Sequence, residues 1–187
     1  ECLHMLEAVS AFKAYDIRGI AGEDITTDFS RRLGRAIVEF AQATSIAVGR
    51  DIRSSGESLK AALIQGIVES GCTVVDLGIV PTGVVYRSTV DLNVDSAVAI
   101  TASHNPPEYN GFKIVHKGLP VAGGDLQRLK AIYESPDQGK ANSPGTILSM
   151  SEYHHTVIDA IVQDVGPLAR RVSVAVDSAN AVPGPFI

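Results

Sequence analysis

Thr101-Ala102-Ser103-His104-Asn105-Pro106-Pro107-Glu108-Tyr109-Asn110-Gly111-Phe112-Lys113 is a polar segment set between two apolar runs, Ala97–Ile100 and Phe112–Val115. Short apolar runs bounded by turn residues read as buried strands, so the segment is expected where strand ends open onto a cleft. Pro106 and Pro107 fix φ at successive positions and bias Asn105 and Pro106 towards extended backbone. Gly111 permits a conformation or a close approach that a side chain would forbid. One stiffened loop therefore carries a hydroxyl (Ser103), an imidazole (His104), two amides (Asn105, Asn110) and the ammonium of Lys113. That combination points to a site rather than a linker.

Working outward, Asp95–Ile100 is predicted as the strand that enters the loop, with Phe112–Val115 returning beside it like a hairpin. Upstream, Pro81 opens a helix containing Val84, Val85 and Val90, and Thr73–Leu77 is a strand. A helix from about Glu57 to Ser70 has Leu59, Leu63 and Ile67 on its core face and Gly71 at its end. Ile46–Val48 is a short buried strand leading into the polar loop Gly49–Gly56. Thr26 or Thr27 caps a helix to about Gln42, with Phe29, Leu33, Ile37 and Phe40 at helical spacing. Phe12–Ile20 reads as a short extended segment and a turn. Downstream come a helix over Asp125–Ser135, a surface loop over Pro136–Pro144 and a helix capped by Ser151 running to about Asp164. Strand, polar loop and helix alternate throughout, which argues for α/β: a three-layer α/β/α domain with a mixed, mostly parallel sheet. Val172–Val176 is predicted as a strand feeding the loop Asp177–Gly184. A strand entering a Gly-bearing loop is how an α/β domain begins, so residues 1–170 are expected to form one domain and 171–187 to start a second, truncated one.

Composition narrows the classes. The 187 residues suffice for one sizeable core, and 45% hydrophobic with 20% charged residues is ordinary for a soluble globular protein. A net charge of −5 and the absence of any Lys/Arg cluster argue against nucleic acid as a partner. Arg31-Arg32 and Arg170-Arg171 read as solvated helix faces or ends. Cys2 and Cys72 fit neither a zinc spacing nor a disulfide framework, and Cys72 reads as a buried small hydrophobe. No apolar run reaches membrane-spanning length, and no long apolar segment opens the chain, so a cytoplasmic protein without membrane partners is expected. The first ten or so residues read as a frayed arm, with no role for Cys2 or His4. His116, His154 and His155 read as surface or packing residues without metal-ligand partners.

Ser103 is the candidate nucleophile. A Ser–His hydrolase is disfavoured, because neighbouring side chains on extended backbone point apart. Thr101 and Asn105 also stand where a nucleophile elbow needs glycines, and a strand follows instead of a helix. Phosphoryl chemistry fits better: a serine on a rigid polar loop can carry a phosphate, with Lys113 and Arg18 as cationic partners and a divalent cation on the phosphate oxygens. There is no Walker A pattern, so a nucleoside triphosphate is not the obvious donor.

Thr101–Lys113 closely resembles the phosphoserine loop of the α-D-phosphohexomutases. Tyr15-Asp16-Ile17-Arg18-Gly19 and Pro107–Lys113 are most similar to the bacterial phosphomannomutase/phosphoglucomutase branch. Gly49-Arg50-Asp51 with Arg53 and Ser54, and Val80-Pro81-Thr82, match in the same order. The phosphoglucosamine mutase branch, an alternative, typically carries Thr-Asp-Gly-Ile-Arg-Gly at the first segment, which is absent here. The resemblance implies domain 1 and the start of domain 2 of a four-domain enzyme that interconverts hexose 1- and 6-phosphates of mannose, glucose or both. Ser103 would carry the phosphate and pass it to the substrate, giving a bound hexose 1,6-bisphosphate that is both intermediate and activator. Mg2+ would bridge the phosphate on Ser103 and aspartates of domain 2. Lys113 and Arg18 would serve proton transfer and charge stabilisation, His104 and Asn105 would shape the loop, and Tyr15 and Asn105 would meet the sugar. Asp51, Arg53 and Asn110 would support the loop from behind. Arg18 is also placed to pair with Asp16 or Asp51, and Tyr15, an aromatic beside a strand, is expected to be partly core. The metal loop, the sugar-recognition loop and a C-terminal phosphate loop are absent, and Asn180-Ala181 replaces the family's Asn-Gly. The chain alone is expected to be inactive. A non-catalytic phosphosugar-binding module is the alternative from another class.

Overall fold

The computed structural model describes residues 11–136, 141–178 and 181–184. Cys2, His4 and Asn180 lie outside the described residues. One sheet contains β1 (Ile17–Ile20), β2 (Ser45–Arg50), β3 (Thr73–Ile79), β4 (Ser96–Ile100), β5 (Tyr109–His116), β6 (Leu119–Pro120) and β7 (Ile147–Ser149), in the order β1-β5-β4-β2-β3-β7 with β6 also on β5. β2 is parallel to β3 and β4, and β3 to β7, whereas β5 is antiparallel to β1, β4 and β6. β5 alone is reversed, so the sheet is mixed but mostly parallel in strand direction.

Among the described residues five helices cover the faces: α1 (Thr27–Ala41), α2 (Gly56–Glu69), α3 (Thr82–Asp91), α4 (Gly123–Glu134) and α5 (Tyr153–Val165). Strand residues alternate between two cores, as a period of two demands. Ile46, Val48, Val98, Ile100, Phe112 and Ile114 face Phe29, Leu33 and Ile37 of α1, Leu59, Leu63 and Ile67 of α2, and Leu126 and Leu129 of α4. Ala47, Val75, Leu77, Ala97 and Ala99 face Val85 of α3 and Tyr153 and Val157 of α5. The three-layer α/β/α expectation is met. Cys72 is buried, as expected of a small hydrophobe.

Helix ends follow local chemistry. Thr26 Oγ1 accepts the Phe29 N–H at 3.1 Å at the start of α1, and Gln42 closes it in left-handed backbone. Ser151 does not cap α5: the helix begins at Tyr153 with Glu152 at the cap and no capping side chain. The Ser151 carbonyl instead accepts from His154 Nδ1.

The other correction is larger. Val172–Val176 forms no strand, and its valines are exposed, Val174 by 73%. Its apolar alternation is strand-like, but a strand exists only by pairing, and no described strand pairs with it. No helix among the described residues is long and apolar enough to cross a membrane.

Candidate active site

The loops after β2, β3 and β4 open at one end of the parallel strands, where α/β sheets commonly bind ligands. A cleft of about 660 Å³ lies there, lined by Asp51–Ser54, Val80–Thr82, Thr101, Ser103, Asn105, Pro107 and Ala181–Pro183. The loop after β4 is anchored at its base by the Ile100–Phe112 pairing and by Thr101 N–H to Gly111 O at 2.9 Å. It then turns tightly. The Asn105 backbone N–H and Nδ2 both donate to the Ala102 carbonyl, at 3.1 and 2.8 Å, and the Ser103 N–H donates to Thr101 Oγ1 at 2.9 Å.

Ser103 sits at the exposed tip with φ +56°, in left-handed backbone. The loop is not extended there, which replaces the extended-chain argument for separating Ser103 and His104. No hydrogen bond joins their side chains among the described residues, and His104 is exposed and is not one of the residues lining the cleft. A non-glycine residue in this region costs roughly 1–3 kcal/mol and persists only where surrounding bonds impose it.

Arg53, from the loop after β2, supplies such bonds. Its Nη1 donates to Pro106 O (2.6 Å) and Tyr109 O (2.9 Å), and its Nη2 to Ser103 O (3.0 Å) and Asn105 O (2.7 Å). Asp51 Oδ1 accepts the Arg53 N–H at 3.0 Å, and Asp51 Oδ2 lies 3.3 Å from Nε without forming a hydrogen bond. Asn110, fully buried, donates from Nδ2 to Ser55 Oγ at 2.8 Å and accepts the Gly111 N–H, tying β5 to the start of α2.

A second group forms where β1 meets β5. Arg18 faces Gly111 across the antiparallel ladder, and Lys113, two residues along, shares that face. Asp16 Oδ2 accepts from both Arg18 Nη2 and Lys113 Nζ, the latter at 3.1 Å. Of the two partners open to Arg18, Asp16 is the one engaged. Neither cation lines the Ser103 cleft. Tyr15 is 82% exposed, so it is not part of the core: it precedes β1 in a bend, with no sheet face to bury it.

Sequence reasoning missed Tyr86 on α3, whose phenol is pushed up in pKa by burial and, secondarily, by the Asp16 carboxylate. An aromatic inside a helical repeat gives no signal of such a neighbour. The carbonyl targets of Arg53 were equally silent, since backbone oxygens carry no sequence signature. His116 packs as expected, its Nδ1 near Ser96 Oγ and Asp95 O and its ring edge-on to Phe40. His154 and His155 do have a neighbour: with Glu152 their donor atoms lie within 4.8 Å of one another on the surface of α5, sharing no residue with the cleft.

Residues 9–140 match the family model described as phosphoglucomutase/phosphomannomutase, alpha/beta/alpha domain I. The chain is 37% identical over 186 residues to a phosphomannomutase of Escherichia coli, covering 96% of this chain and 40% of that protein. It is 40% identical over 179 residues to a phosphomannomutase/phosphoglucomutase of Pseudomonas aeruginosa, covering 94% and 38%. A crystal structure of a phosphoglucomutase/phosphomannomutase family protein from Burkholderia thailandensis superposes with a TM-score of 0.85 at 36% identity, covering 95% of this chain and 40% of that one. The chain thus spans about 40% of the length of the relatives it matches.

Proposed function

The chain belongs to the phosphoglucomutase/phosphomannomutase family, and from that premise we propose that the full-length protein interconverts hexose 1-phosphates and hexose 6-phosphates through a phosphate carried on Ser103. Mannose and glucose phosphates are the substrate class, in keeping with the names phosphomannomutase and phosphoglucomutase among its relatives. The observation that carries the reading is Ser103 itself: an exposed hydroxyl on a left-handed turn whose carbonyls are tied down from behind. Phosphoryl transfer asks a protein mainly for position and charge, and a fixed hydroxyl meets the first demand.

In the forward half-reaction a sugar hydroxyl attacks the phosphorus on Ser103 Oγ. The P–O bond to serine breaks, the sugar proton passes to a base, and the serine oxygen regains a proton. The second half-reaction returns the other phosphate of the 1,6-bisphosphate to Ser103. Lys113 and Arg18 supply positive charge and proton transfer, Asn105 and His104 shape the loop, and exposed Tyr15 is available to a sugar ring. Asp16 keeps the two cations on one face until the substrate arrives.

Magnesium belongs to the same proposal, neutralising charge on the phosphate oxygens. The residues present fit only part of its shell. Asp51, the acidic residue lining the cleft, is engaged by Arg53, so the phosphate on Ser103 would be this chain's ligand and further domains of the same protein would supply the rest. We place the reaction in the cytoplasm, where a free thiol such as Cys72 stays reduced.

Mass spectrometry of the full-length protein purified from cells is expected to find phosphate on Ser103. Full-length Ser103→Ala is expected to lose activity on both sugar 1-phosphates by on the order of 10³-fold or more in a coupled assay. Wild-type turnover by that variant would overturn the mechanism.

A further inference from the structure

Resting on the reading of Ser103 as phosphate carrier, we propose that Arg53 is a positioning residue that holds the carrier loop by its backbone, and that it does not bind the phosphate. A guanidinium lining the same cleft as a phosphorylated serine would ordinarily be read as a phosphate ligand, since its planar fork matches phosphate oxygens. Four of its five donors are committed elsewhere, and the fifth, on Nε, is buried. A guanidinium has five N–H donors. The four on Nη1 and Nη2 are taken by the carbonyls of Ser103, Asn105, Pro106 and Tyr109, and Nε faces Asp51.

Those four carbonyls come from a stretch of seven residues and turn towards one point. Converging them fixes the peptide planes on either side of the turn. The Ser103 carbonyl is among them, so the grip bears directly on the residue whose φ is +56°. Left-handed backbone at a non-glycine residue relaxes unless something opposes it.

The anchor is itself located by the sheet. The Asp51 N–H donates to the Ile100 carbonyl at the end of β4 at 3.0 Å, while the Asp51 carboxylate receives the Arg53 N–H and flanks its guanidinium. The position of Ser103 is thereby referenced to β2 and β4 instead of floating with the loop. Lysine cannot substitute, because one ammonium with three donors cannot span four separated oxygens.

The test uses the full-length protein and compares wild type, Arg53→Lys and Asp51→Asn, the last keeping the guanidinium while weakening its orientation. Three readouts are taken: hydrogen exchange of residues 101–109, melting temperature, and kcat and KM for the sugar 1-phosphates. Arg53→Lys is expected to stay folded, to exchange those amides at least about tenfold faster, and to lose kcat by about 100-fold. KM should stay within about threefold, because the Nη donors of Arg53 are held by loop carbonyls and not left for substrate. Asp51→Asn should shift the same quantities in the same direction by about tenfold, and it decides the matter if Arg53→Lys does not fold.

A kcat lost with loop exchange unchanged would make Arg53 a ligand of the phosphate on Ser103, and a KM raised tenfold or more with kcat retained would make it a ligand of the substrate phosphate; either would overturn the proposal. Unchanged loop exchange together with unchanged kcat would overturn it equally. Because hydrogen exchange does not depend on turnover, a wild-type protein without mutase activity would sink the functional reading while still testing the anchor.

Discussion

A Cβ added at position 111 would lie 2.2 Å from the Ile17 carbonyl oxygen, closer than any side chain tolerates. Gly111 is therefore the residue that lets β1 close onto β5, and Arg18 stands directly opposite it. Gly111→Ala is expected to push β1 outwards and destabilise the fold by about 1–3 kcal/mol in denaturant unfolding. The displaced Arg18 should loosen from Asp16 in the same variant, lowering activity beyond what the loss of stability explains. The need for glycine here was legible from the sequence, and so was the concentration of chemistry in residues 101–113. The left-handed turn at Ser103 was not, because serine gives no hint of positive φ and the two prolines point towards extended chain. Tyr15 misled for a related reason: an aromatic next to a strand is core only if a sheet face reaches it.

Among elements, the α1–α2 contact carries a carboxylate that makes it respond to pH. The helices approach so closely that a Cβ on Gly66 would meet the Arg31 carbonyl oxygen at 1.9 Å. Beside that crossing Glu69 of α2 receives both Arg31 and Arg35 of α1. The Arg31 hydrogen bonds, with help from Arg35 and against the opposing effect of burial, pull its carboxyl from an ordinary 4.5 to about 2. A carboxyl depressed in the folded state stabilises above its unfolded pKa, and that stability is lost as pH falls through the folded value. Glu69→Gln should accordingly cost about 1–2 kcal/mol at neutral pH. The gap to wild type should shrink between about pH 5 and pH 2 in a series of denaturation midpoints. Helices with a clear apolar stripe and a capping residue were readable to within a residue or two. β7 escaped notice because a three-residue edge strand carries no period, and Val172–Val176 was misread because pairing is not a local property.

For the molecule as a whole, the reversed strand β5 links the loop that bears Ser103 with the edge that bears Lys113 and Arg18. The sheet around it was largely predictable from alternation, and its order was not. We propose that the unit ends near residue 170 and that a further domain starts at about residue 171. The stretch after α5 makes that testable, since Arg170 and Arg171 are exposed and no backbone hydrogen bond ties 167–176 to the described residues. Brief trypsin treatment of the full-length protein should cut at Arg170 or Arg171 before any site between β1 and α4, and the released N-terminal piece should melt cooperatively. Early cleavage within the sheet would refute that boundary. The grip of Arg53 carries one more consequence for such a protein. Every residue has a carbonyl oxygen, so a clamp made on four of them is blind to side-chain identity. The exposed position Glu108 can be exchanged for other chemistry while the loop keeps its shape, which makes it a socket into which new specificities can be fitted.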